Sequence, residues 1–485
     1  MEDYRMLMDG QWVGSGSKGS IEVINPATEE AFARVPQATA EDVVQALEAA
    51  DRAFSEWRRR SPEDRAAFLW RASGILEERR EKIGRLLTQE QGKPLKESVE
   101  EVQKVVEMLR YYAEEGKRAY GRIIPNKDPK FQSLVVRQPI GVVAAISPWN
   151  YPVELIGWKA AAALAAGCTI VFKPPSITPL SPLKFFECLV DAGIPRGVIN
   201  AVTGSGETVG RQLVGSPITK KVAFTGSTEV GRDILGHSLS SIKKISLELG
   251  GHCPLIVSRH ADLSSAVKGA VRRKFRNMGQ ICIAINRIYV DESIHDRFLQ
   301  AFVQETSKLV IGNGLEKVPC DLGPMASKEG LEKARRHIED ALAKKARLAY
   351  GGKRPEGLEF RKGYFIEPTI LSDCHHDMLV MKEETFGPVV GVMAYRNLDE
   401  AIRLANDTPY GLAAYAYTND LNEAGRLSSE LEAGSVAINN VDAGIINAPY
   451  GGWKQSGIGH EHGHEGLDEY LHVKHVRIQY QHPFV

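Results

Sequence analysis

Apolar residues in the first quarter of the chain recur at the spacing of an amphipathic helix. Thr39 and Asp42 have the spacing of a capping box, which marks the start of a helix. The apolar positions that follow lie three or four residues apart, at Val43, Leu47, Ala50 and Phe54. Helical spacing continues to about Glu115, so this part of the chain is predicted to be largely helical.

From Pro139 onward the pattern changes to short apolar runs separated by helical segments. The runs are IGVVAAI, CTIVFK, GVINAV, KKVAFT and KKISLEL, and helices are predicted to begin near Val153, Leu180, Glu207 and Glu229. Because the runs lack a polar alternate face, each strand is expected to lie in a parallel sheet covered by helices on both sides. Right-handed crossovers then give a doubly wound, Rossmann-like α/β unit.

The carboxyl ends of these predicted strands carry polar residues and glycines. The segments are SPWN at 147–150, KPPS at 173–176, TGS at 225–227 and ELGG at 248–251. In open α/β sheets, ligands bind beyond the carboxyl ends of the strands. The four segments are therefore predicted to border one crevice.

The rest of the chain predicts a second domain and an extension. Residues 261–440 again alternate strand and helix patterns, which indicates a second α/β domain, and 485 residues are too many for one hydrophobic core. Residues 118–136 contain prolines at 125 and 129 and are predicted to form two short extended pieces joined by a turn. The tail YLHVKHVRIQY is predicted to form a terminal strand.

Charge and composition narrow the class of function. Lys plus Arg and Asp plus Glu both number 61, so no net field favours nucleic acid or an anionic membrane, and small-molecule partners are expected. Apolar residues make up 43% of the chain, as in ordinary folded proteins. We find no leader pattern and no apolar run of about 18 residues, which predicts a cytoplasmic protein.

The cysteines and histidines do not predict a metal site. Six cysteines are scattered without a CxxC pair, which favours reduced thiols over zinc ligation or disulfides. His460, His462 and His464 alternate in GHEHGHEG, a spacing that could ligate a metal. No carboxylate-rich motif lies nearby, so a polar surface turn is the preferred interpretation and no metal is assigned.

Cys282 is a candidate nucleophile. It lies in NMGQICIAINR, where Gly279 permits an unusual backbone and the close approach of a ligand. Taken alone, a cysteine between two isoleucines is more often a small buried hydrophobe. The other motifs predicted to border the crevice favour a catalytic role for Cys282 over a purely structural one.

Glu248 and Asn150 complete a possible catalytic set. Glu248 ends an apolar strand, where burial would raise the pKa of its carboxyl and suit a general base, although such a group could simply accept bonds from nearby amides. Asn150 in SPWNYP could donate a hydrogen bond to an oxyanion or merely form a turn between prolines.

The segment FTGSTEVG passes from a strand into a helix. Its amides and the helix dipole could hold a phosphate, but Gly226 and Gly231 do not match the usual GxGxxG fingerprint. Close packing explains the glycines equally well.

Taken together, these motifs resemble the aldehyde dehydrogenase superfamily. The order PWNYP, KPP, FTGSTEVGR, LELGG, GQICIAINR, EETFGP and PYGGWKQSG is that family's series, and the resemblance extends from NPATEE to PYGGWKQSG. It implies a Rossmann-type NAD(P)-binding domain at 1–117 and 137–250 and a second α/β catalytic domain at 251–454. A β-strand oligomerisation arm and tail would comprise 118–136 and 455–485, used in a dimer or tetramer.

The resemblance also implies residue roles. Cys282 would be the nucleophile, Glu248 the base, and Asn150 with the Cys282 amide the oxyanion hole. A thiohemiacetal on the cysteine would lose hydride to the nicotinamide, and water would cleave the resulting thioester. CoA-acylating relatives typically lack the base, so its presence favours hydrolysis. The three residues also argue against a catalytically silent structural protein of the same fold.

Other roles follow from the same alignment. The predicted cofactor residues are Ile146, Pro148, Trp149, Lys173, Ser176, Gly206, Phe224, Gly226, Ser227, Val230, Leu249, Glu384 and Phe386. The predicted substrate residues are Tyr151, Glu154, Trp158, Arg276, Ile281, Ile283 and Tyr450. Many NAD-preferring relatives have glutamate where Ser176 stands, so NADP is expected to be tolerated or preferred over NAD.

The substrate prediction depends on departures from the family pattern. Arg276 resembles the arginine with which succinic semialdehyde dehydrogenases bind the substrate carboxylate, whereas their second arginine is replaced by Trp158. Glu154 could orient Arg276, bind a substrate hydroxyl or amine, or simply pair with Arg276 at the tunnel entrance. We expect a short aldehyde bearing a carboxylate or hydroxyl, with an NADP-preferring semialdehyde dehydrogenase as the alternative. His460 replaces the family's usual arginine, a change the sequence does not explain.

Overall fold

The computed structural model describes residues 1–15 and 19–483. Five short strands and four helices precede the first α/β unit. The strands are β1 (Glu2–Asp3), β2 (Met6–Met8), β3 (Gln11–Val13), β4 (Ser20–Asn25) and β5 (Glu30–Pro36). The helices are α1 (Ala40–Trp57), α2 (Pro62–Glu78), α3 (Arg80–Gln91) and α4 (Leu95–Glu115). Thr39 caps α1 with both bonds of the predicted capping box, so that prediction is confirmed.

The middle of the chain has the predicted strand and helix alternation. Its strands are β6 (Arg122–Ile124), β7 (Phe131–Pro139), β8 (Val142–Ile146), β9 (Thr169–Lys173), β10 (Ile199–Ala201), β11 (Thr219–Thr225) and β12 (Lys244–Glu248). Its helices are α5 (Pro152–Ala166), α6 (Leu180–Asp191), α7 (Arg211–Gly215) and α8 (Thr228–His237), with a π-helical turn at Gly206–Gly210 and a 3₁₀ turn at Ser238–Ser240. The predicted helix starts near residues 153, 180 and 229 are confirmed within about one residue.

The second half repeats the alternation. Its strands are β13 (Cys253–Val257), β14 (Ile285–Asp291), β15 (Arg347–Tyr350), β16 (Thr369–Ser372), β17 (Val389–Tyr395), β18 (Tyr410–Gly411), β19 (Ala413–Tyr417), β20 (Ser435–Ile438), β21 (Trp453–Lys454), β22 (Gly457–Ile458) and β23 (Leu471–Gln479). Its helices are α9 (Leu263–Phe275), α10 (His295–Thr306), α11 (Lys328–Ala343), α12 (Leu379–Lys382), α13 (Leu398–Asn406), α14 (Leu421–Glu430) and α15 (Gly463–Asp468).

Two large sheets organise these elements. The first has the order β22-β12-β11-β8-β9-β10-β2-β3, in which β12, β11, β8, β9 and β10 are parallel. The chain runs outward from β8 to β10 and then returns to the other side at β11, so the strand order reverses between β8 and β11. This is a doubly wound sheet, and the reversal opens a crevice at its carboxyl edge. The predicted Rossmann-like unit is confirmed.

The second sheet has the order β15-β16-β17-β14-β13-β19-β20 and is parallel except for β15. A third, three-stranded sheet joins β23, β7 and β6, with β23 antiparallel to β7 along nine residue pairs. The predicted extended segment and terminal strand therefore pair with each other. The preceding strand β22 instead extends the first sheet, and the proposed domain boundaries stay predictions.

Candidate active site

Two adjoining cavities lie at the carboxyl edge of the first sheet. The inner cavity has a volume of about 350 Å³, and Asn150, Glu248 and Cys282 all line it. The outer cavity, of about 420 Å³, is lined by residues that include Lys173 and Val230. The sheet topology thus brings together strand ends that are distant in sequence, as the pattern predicted.

Cys282 follows a tightly wound loop. Asn277, Met278 and Gly279 all have positive φ, of 48°, 57° and 69°. A Cβ on Gly279 would lie 2.4 Å from the carbonyl oxygen of Gly387, so only glycine fits there. The buried side chain of Gln280 fixes the loop, because its Nε2 donates to the Asn277 carbonyl and its Oε1 accepts from Ala326 N–H, both at 3.0 Å.

The thiol of Cys282 is held in a protonated resting form. Burial raises the pKa of Cys282 well above its usual range, and the negative charge of Glu248 raises it further. The Cys282 Sγ lies 3.3 Å from the hydroxyl of Tyr450. A base is therefore required to form the thiolate.

Glu248 is suited to be that base. It ends β12, and its neighbour in the sheet is Thr225 at the end of β11. Burial raises the pKa of Glu248 to about 7, an effect that the nearby Cys282 thiol only partly offsets. Neither carboxylate oxygen has a hydrogen-bond partner of ordinary length among the described residues. Such a carboxyl can accept and release a proton near neutral pH.

Asn150 is buried beside the cysteine loop. Its Nδ2 donates one hydrogen bond to the Gln280 carbonyl at 3.0 Å, and the second Nδ2 proton remains for another acceptor. Its backbone carbonyl accepts from the ammonium of Lys93 at 2.6 Å and from Nδ2 of Asn277 at 3.1 Å. The turn that contains Asn150 is thus fixed relative to the cysteine loop.

Glu384 and Phe386 lie across the inner cavity from the sheet. The Glu384 Oε1 accepts the Gly251 N–H at 3.0 Å, and burial raises the pKa of Glu384 to about 7. Phe386 adopts a φ of 52°, a strained value for a non-glycine residue, and its ring meets Trp149 edge to face at 5.4 Å. The pair forms an aromatic wall of the cavity.

The predicted cofactor residues divide between the two cavities. The inner one is lined by Pro148, Trp149, Gly226, Ser227, Leu249, Glu384 and Phe386. The outer one is lined by Ile146, Lys173, Gly206, Phe224 and Val230. Ser176 is not among the residues that line the outer cavity, and its hydroxyl donates to the Gly204 carbonyl at 3.4 Å.

Five of the seven predicted substrate residues are buried aromatic or aliphatic side chains. Tyr151, Trp158, Ile281, Ile283 and Tyr450 are all buried. The rings of Trp158 and Tyr450 meet at 5.5 Å, while the Tyr151 ring receives the Lys93 ammonium 3.7 Å from its centroid. Tyr450 contacts the Cys282 thiol directly, and Trp158 packs against Tyr450.

Arg276 and Glu154 have separate partners. Arg276 lies 2.8 Å from a carboxylate oxygen of Glu100 and 3.5 Å from one of Glu97. Glu154 lies 3.4 Å from the ammonium of Lys104. Arg276 and Glu154 therefore do not pair with each other, as one interpretation of the sequence had them; they form three other ion pairs instead.

The histidine segment is not a simple surface turn. His462 is only 6% exposed, and its ring lies 4.1 Å from that of Trp158. His464 instead contacts Glu115, with 2.7 Å between Nδ1 and Oε1. The prediction of a polar surface turn is wrong for His462, because the turn packs against α5 and brings its side chain inward.

Comparison with known proteins identifies the family. The model of the aldehyde dehydrogenase family matches residues 12–476. The chain belongs to the aldehyde dehydrogenase family. It is 44% identical over 475 residues to the NADP-dependent succinate-semialdehyde dehydrogenase of Escherichia coli (strain K12), covering 97% of each chain. It is also 44% identical over 470 residues to the 3-sulfolactaldehyde dehydrogenase of Pseudomonas putida, covering 97% of this chain and 96% of that one.

Solved structures agree with this aldehyde dehydrogenase fold. An Escherichia coli NADP-dependent enzyme matches with a TM-score of 0.96 and 43% identity, covering 99% of this chain and 98% of the other. Betaine aldehyde dehydrogenase from Staphylococcus aureus in complex with NAD⁺ matches with a TM-score of 0.96 and 38% identity, covering 99% and 96%. The protein is an oxidoreductase that acts on aldehydes with NAD or NADP.

The cavities of this aldehyde dehydrogenase fit a dinucleotide. Lys173 is a buried cation whose Nζ donates to the carbonyl of Pro174 at 3.0 Å, and burial lowers its pKa to about 8. An anionic ligand group would offset the free-energy cost of burying that positive charge. A Cβ on Gly226 would collide with the Phe224 ring, so glycine allows the close packing of these two residues that line the cavities.

Sequence reasoning missed several residues that line the cavities. The N-terminal turns of α11 supply Ser327, Glu329, Gly330 and Lys333 to the inner cavity. The outer cavity includes Arg211, Asp233 and His237. These residues lie on helix faces without a recognisable motif, so only the packing of the helices could reveal them. Within the described part of the chain, no helix is long and apolar enough to cross a membrane.

Proposed function

We propose that this enzyme oxidises its aldehyde through a covalent thioester on Cys282, with Glu248 as the base. The observation that carries the proposal is that one cavity holds both a protonated, buried thiol and a carboxyl whose pKa is about 7. Neither group alone would suffice, because the buried thiol is protonated and needs a base, and the base needs a nucleophile to activate.

The chain's own residues act in sequence. Glu248 takes the proton of Cys282, and the thiolate adds to the aldehyde carbonyl. The free Nδ2 proton of Asn150, with the Cys282 amide, stabilises the oxyanion of the resulting thiohemiacetal. When bound, the nicotinamide supplies the acceptor for the hydride. Glu248 releases this first proton to solvent and then removes a proton from the water that cleaves the thioester. That second proton returns to the leaving thiolate, so the carboxylic acid and the Cys282 thiol are released.

The cofactor choice is proposed from the outer cavity. Lys173 supplies a cation, and Ser176 supplies a neutral hydroxyl where a carboxylate would repel a 2′-phosphate. We therefore propose that NADP is used at least as well as NAD. Glu384 and Phe386 would hold the nicotinamide end, since both line the inner cavity beside Cys282.

The proposed substrate is a short aldehyde that bears a hydroxyl or carboxylate. The carboxylate alternative, a succinic or related semialdehyde, is supported by the identity to the Escherichia coli enzyme. The ion pairs of Arg276 weigh against it, because a substrate carboxylate would have to displace Glu100 from the guanidinium. A silent structural protein is disfavoured by the intact set of Cys282, Glu248 and Asn150.

We also propose a cytoplasmic dimer or tetramer. The three-stranded sheet formed by β6, β7 and β23 leaves Ile123 69% exposed and Val473 63% exposed. Apolar side chains on a projecting sheet of this kind favour self-association.

The central test replaces Cys282 with alanine. Nicotinamide reduction would be followed by absorbance with a panel of aldehydes and with both cofactors. The variant is expected to bind NAD(P) and retain the fold but to lose turnover completely, because no other nucleophile lies at that position. Turnover by a folded Cys282→Ala protein would refute the thioester mechanism.

A further inference from the structure

A cluster of three rings lies next to the catalytic cysteine. The ring of His462 is 4.1 Å from that of Trp158, at an interplanar angle of 73°, and 5.6 Å from that of Tyr450. The Tyr450 hydroxyl is in turn 3.3 Å from the Cys282 Sγ. His462 therefore packs against two residues of the proposed substrate surface, one of which contacts the nucleophile.

The hydrogen bonds of His462 determine its tautomer. Nδ1 lies 3.2 Å from the carbonyl oxygen of Ile445, and a carbonyl only accepts hydrogen bonds, so Nδ1 carries the proton. Burial lowers the pKa of His462 to about 4, which keeps the ring neutral at pH 7. Nε2 is then a pure acceptor. It is buried and has no hydrogen-bond partner among the described residues.

The backbone of His462 adds a second observation. Its φ is 61° and its ψ is 171°, a conformation that glycine adopts readily and histidine does not. The strained backbone of His462 and its buried acceptor, which has no partner in the described part of the chain, each reduce the free energy of unfolding. Such a combination is expected where the side chain serves a ligand.

The charges around the ring restrict that ligand. Lys104 and Lys159 both lower the pKa of His462, so the ring feels a positive field even though each lysine is paired with a carboxylate, and a substrate ammonium is disfavoured there. The Lys159 ammonium lies 2.5 Å from a carboxylate oxygen of Glu461 and that of Lys104 lies 3.4 Å from one of Glu154. A substrate carboxylate cannot donate to the lone pair of Nε2. A hydroxyl donates a hydrogen bond without bringing a charge.

We propose that Nε2 of His462 accepts a hydrogen bond from a hydroxyl group on the carbon chain of the aldehyde. His462 thereby acts as a specificity-determining residue that favours hydroxyaldehydes. The proposal rests on the aldehyde oxidation proposed above and specifies its substrate class. Because Tyr450 lies between the His462 ring and Cys282, we place the hydroxyl on a carbon distant from the carbonyl, and chains of three or four carbons are the ones to test.

The test compares substrates that differ only by hydroxyl against methyl. The pairs are 3-hydroxypropanal with butanal and 4-hydroxybutanal with pentanal, each assayed as kcat/KM on the NADP-bound enzyme. His462→Phe keeps a ring against Trp158 but removes the acceptor. It is expected to lower kcat/KM for the hydroxyaldehydes by about 3–10-fold, the range of one neutral hydrogen bond, and to leave the alkyl aldehydes unchanged. Comparing variants on one substrate cancels the fraction present as hydrate or cyclic hemiacetal.

Two further variants separate recognition from structure. His462→Gln retains an acceptor and is expected to recover part of the preference. His464→Phe alters the partly exposed neighbour that contacts Glu115 and should change neither substrate class. Equal losses on both members of each pair would show a structural role and overturn the proposal. So would a loss selective for 3-aminopropanal, which would identify an ammonium instead.

The wild-type enzyme supplies a measurement that does not depend on variant folding. Corrected for the fraction of free aldehyde, kcat/KM for 3-hydroxypropanal is expected to exceed that for butanal. An equal or lower value would overturn the role of His462 even if every variant failed to fold. Failure of the wild-type enzyme to oxidise either aldehyde would instead count against the proposed function.

Discussion

Replacement of Glu248 by glutamine separates the two halves of the proposed reaction. Glutamine keeps the shape of the side chain but cannot accept a proton. The loss of a general base typically costs about 10²–10⁴-fold in rate. We expect Glu248→Gln to reduce the steady-state turnover by this factor. One equivalent of reduced cofactor should still accumulate in a slowed first turnover, because removal of the Glu248 charge takes away part of what raises the Cys282 pKa and the thiol then loses its proton to solvent.

The pH dependence of the hydrolysis rate provides a second test of Glu248 as the base. With a pKa of about 7, only about one tenth of Glu248 is deprotonated at pH 6, so the wild-type hydrolysis rate should fall about tenfold per pH unit below 7. The variant should lack this slope. Stopped-flow and steady-state absorbance of the reduced nicotinamide measure both phases.

The same carboxyl affects stability with a defined sign. Because the folded-state pKa is raised from 4.5 to about 7, its favourable contribution is present at low pH and is lost as the pH rises through about 7. The difference corresponds to about 3 kcal/mol. Glu248→Gln should therefore gain stability relative to wild type between pH 5 and 8, as measured by denaturant unfolding.

Unchanged turnover, or a variant that keeps the wild-type pH slope, would refute the assignment of Glu248 as the base.

Three further predictions test the cofactor end, the tunnel and the loop. Ser176→Glu should raise KM for NADP more than for NAD by like-charge repulsion, and equal effects on the two cofactors would contradict the placement of the 2′-phosphate. Glu100→Gln removes one of the two carboxylates that pair with Arg276 and leaves Glu97, so it should increase kcat/KM for succinic semialdehyde relative to pentanal, by at most about 10–150-fold for a full charge-assisted hydrogen bond; an unchanged ratio would show that Arg276 does not read substrate charge. Gly279→Ala should destabilise the fold by at least about 1–3 kcal/mol, because its φ is 69° and the new Cβ would collide with the Gly387 carbonyl; an unfolding midpoint equal to wild type would show that the loop can relax.

The local sequence was sufficient to predict the first sheet and the residues at its edge. Strand runs such as IGVVAAI and KKVAFT are buried on both sides, so their apolar pattern specifies parallel strands without knowledge of their neighbours. Chain connectivity then places their carboxyl ends at one edge. That is why Asn150 and Glu248 could be assigned to one crevice from sequence.

The loop of Cys282 was only partly predictable. Gly279 indicated an unusual backbone, and the structure gives it a positive φ. The positive φ of Asn277 and Met278 carried no such signal, because asparagine and methionine are compatible with many conformations. Buried hydrogen bonds from the side-chain amides of Gln91 and Gln280 hold the loop, and these bonds depend on the packing of the folded chain.

Tertiary structure alone decided what surrounds the proposed substrate. Arg276 pairs with Glu100 on α4, 176 residues earlier in the chain, and His462 turns inward against Trp158 on α5. Neither contact has a periodicity or spacing in the sequence, because each joins segments whose distance is set by the packing of separate elements. The family and its reaction can be read from local motifs, whereas the charge of the tunnel and the unused acceptor of His462 exist only once those elements are assembled.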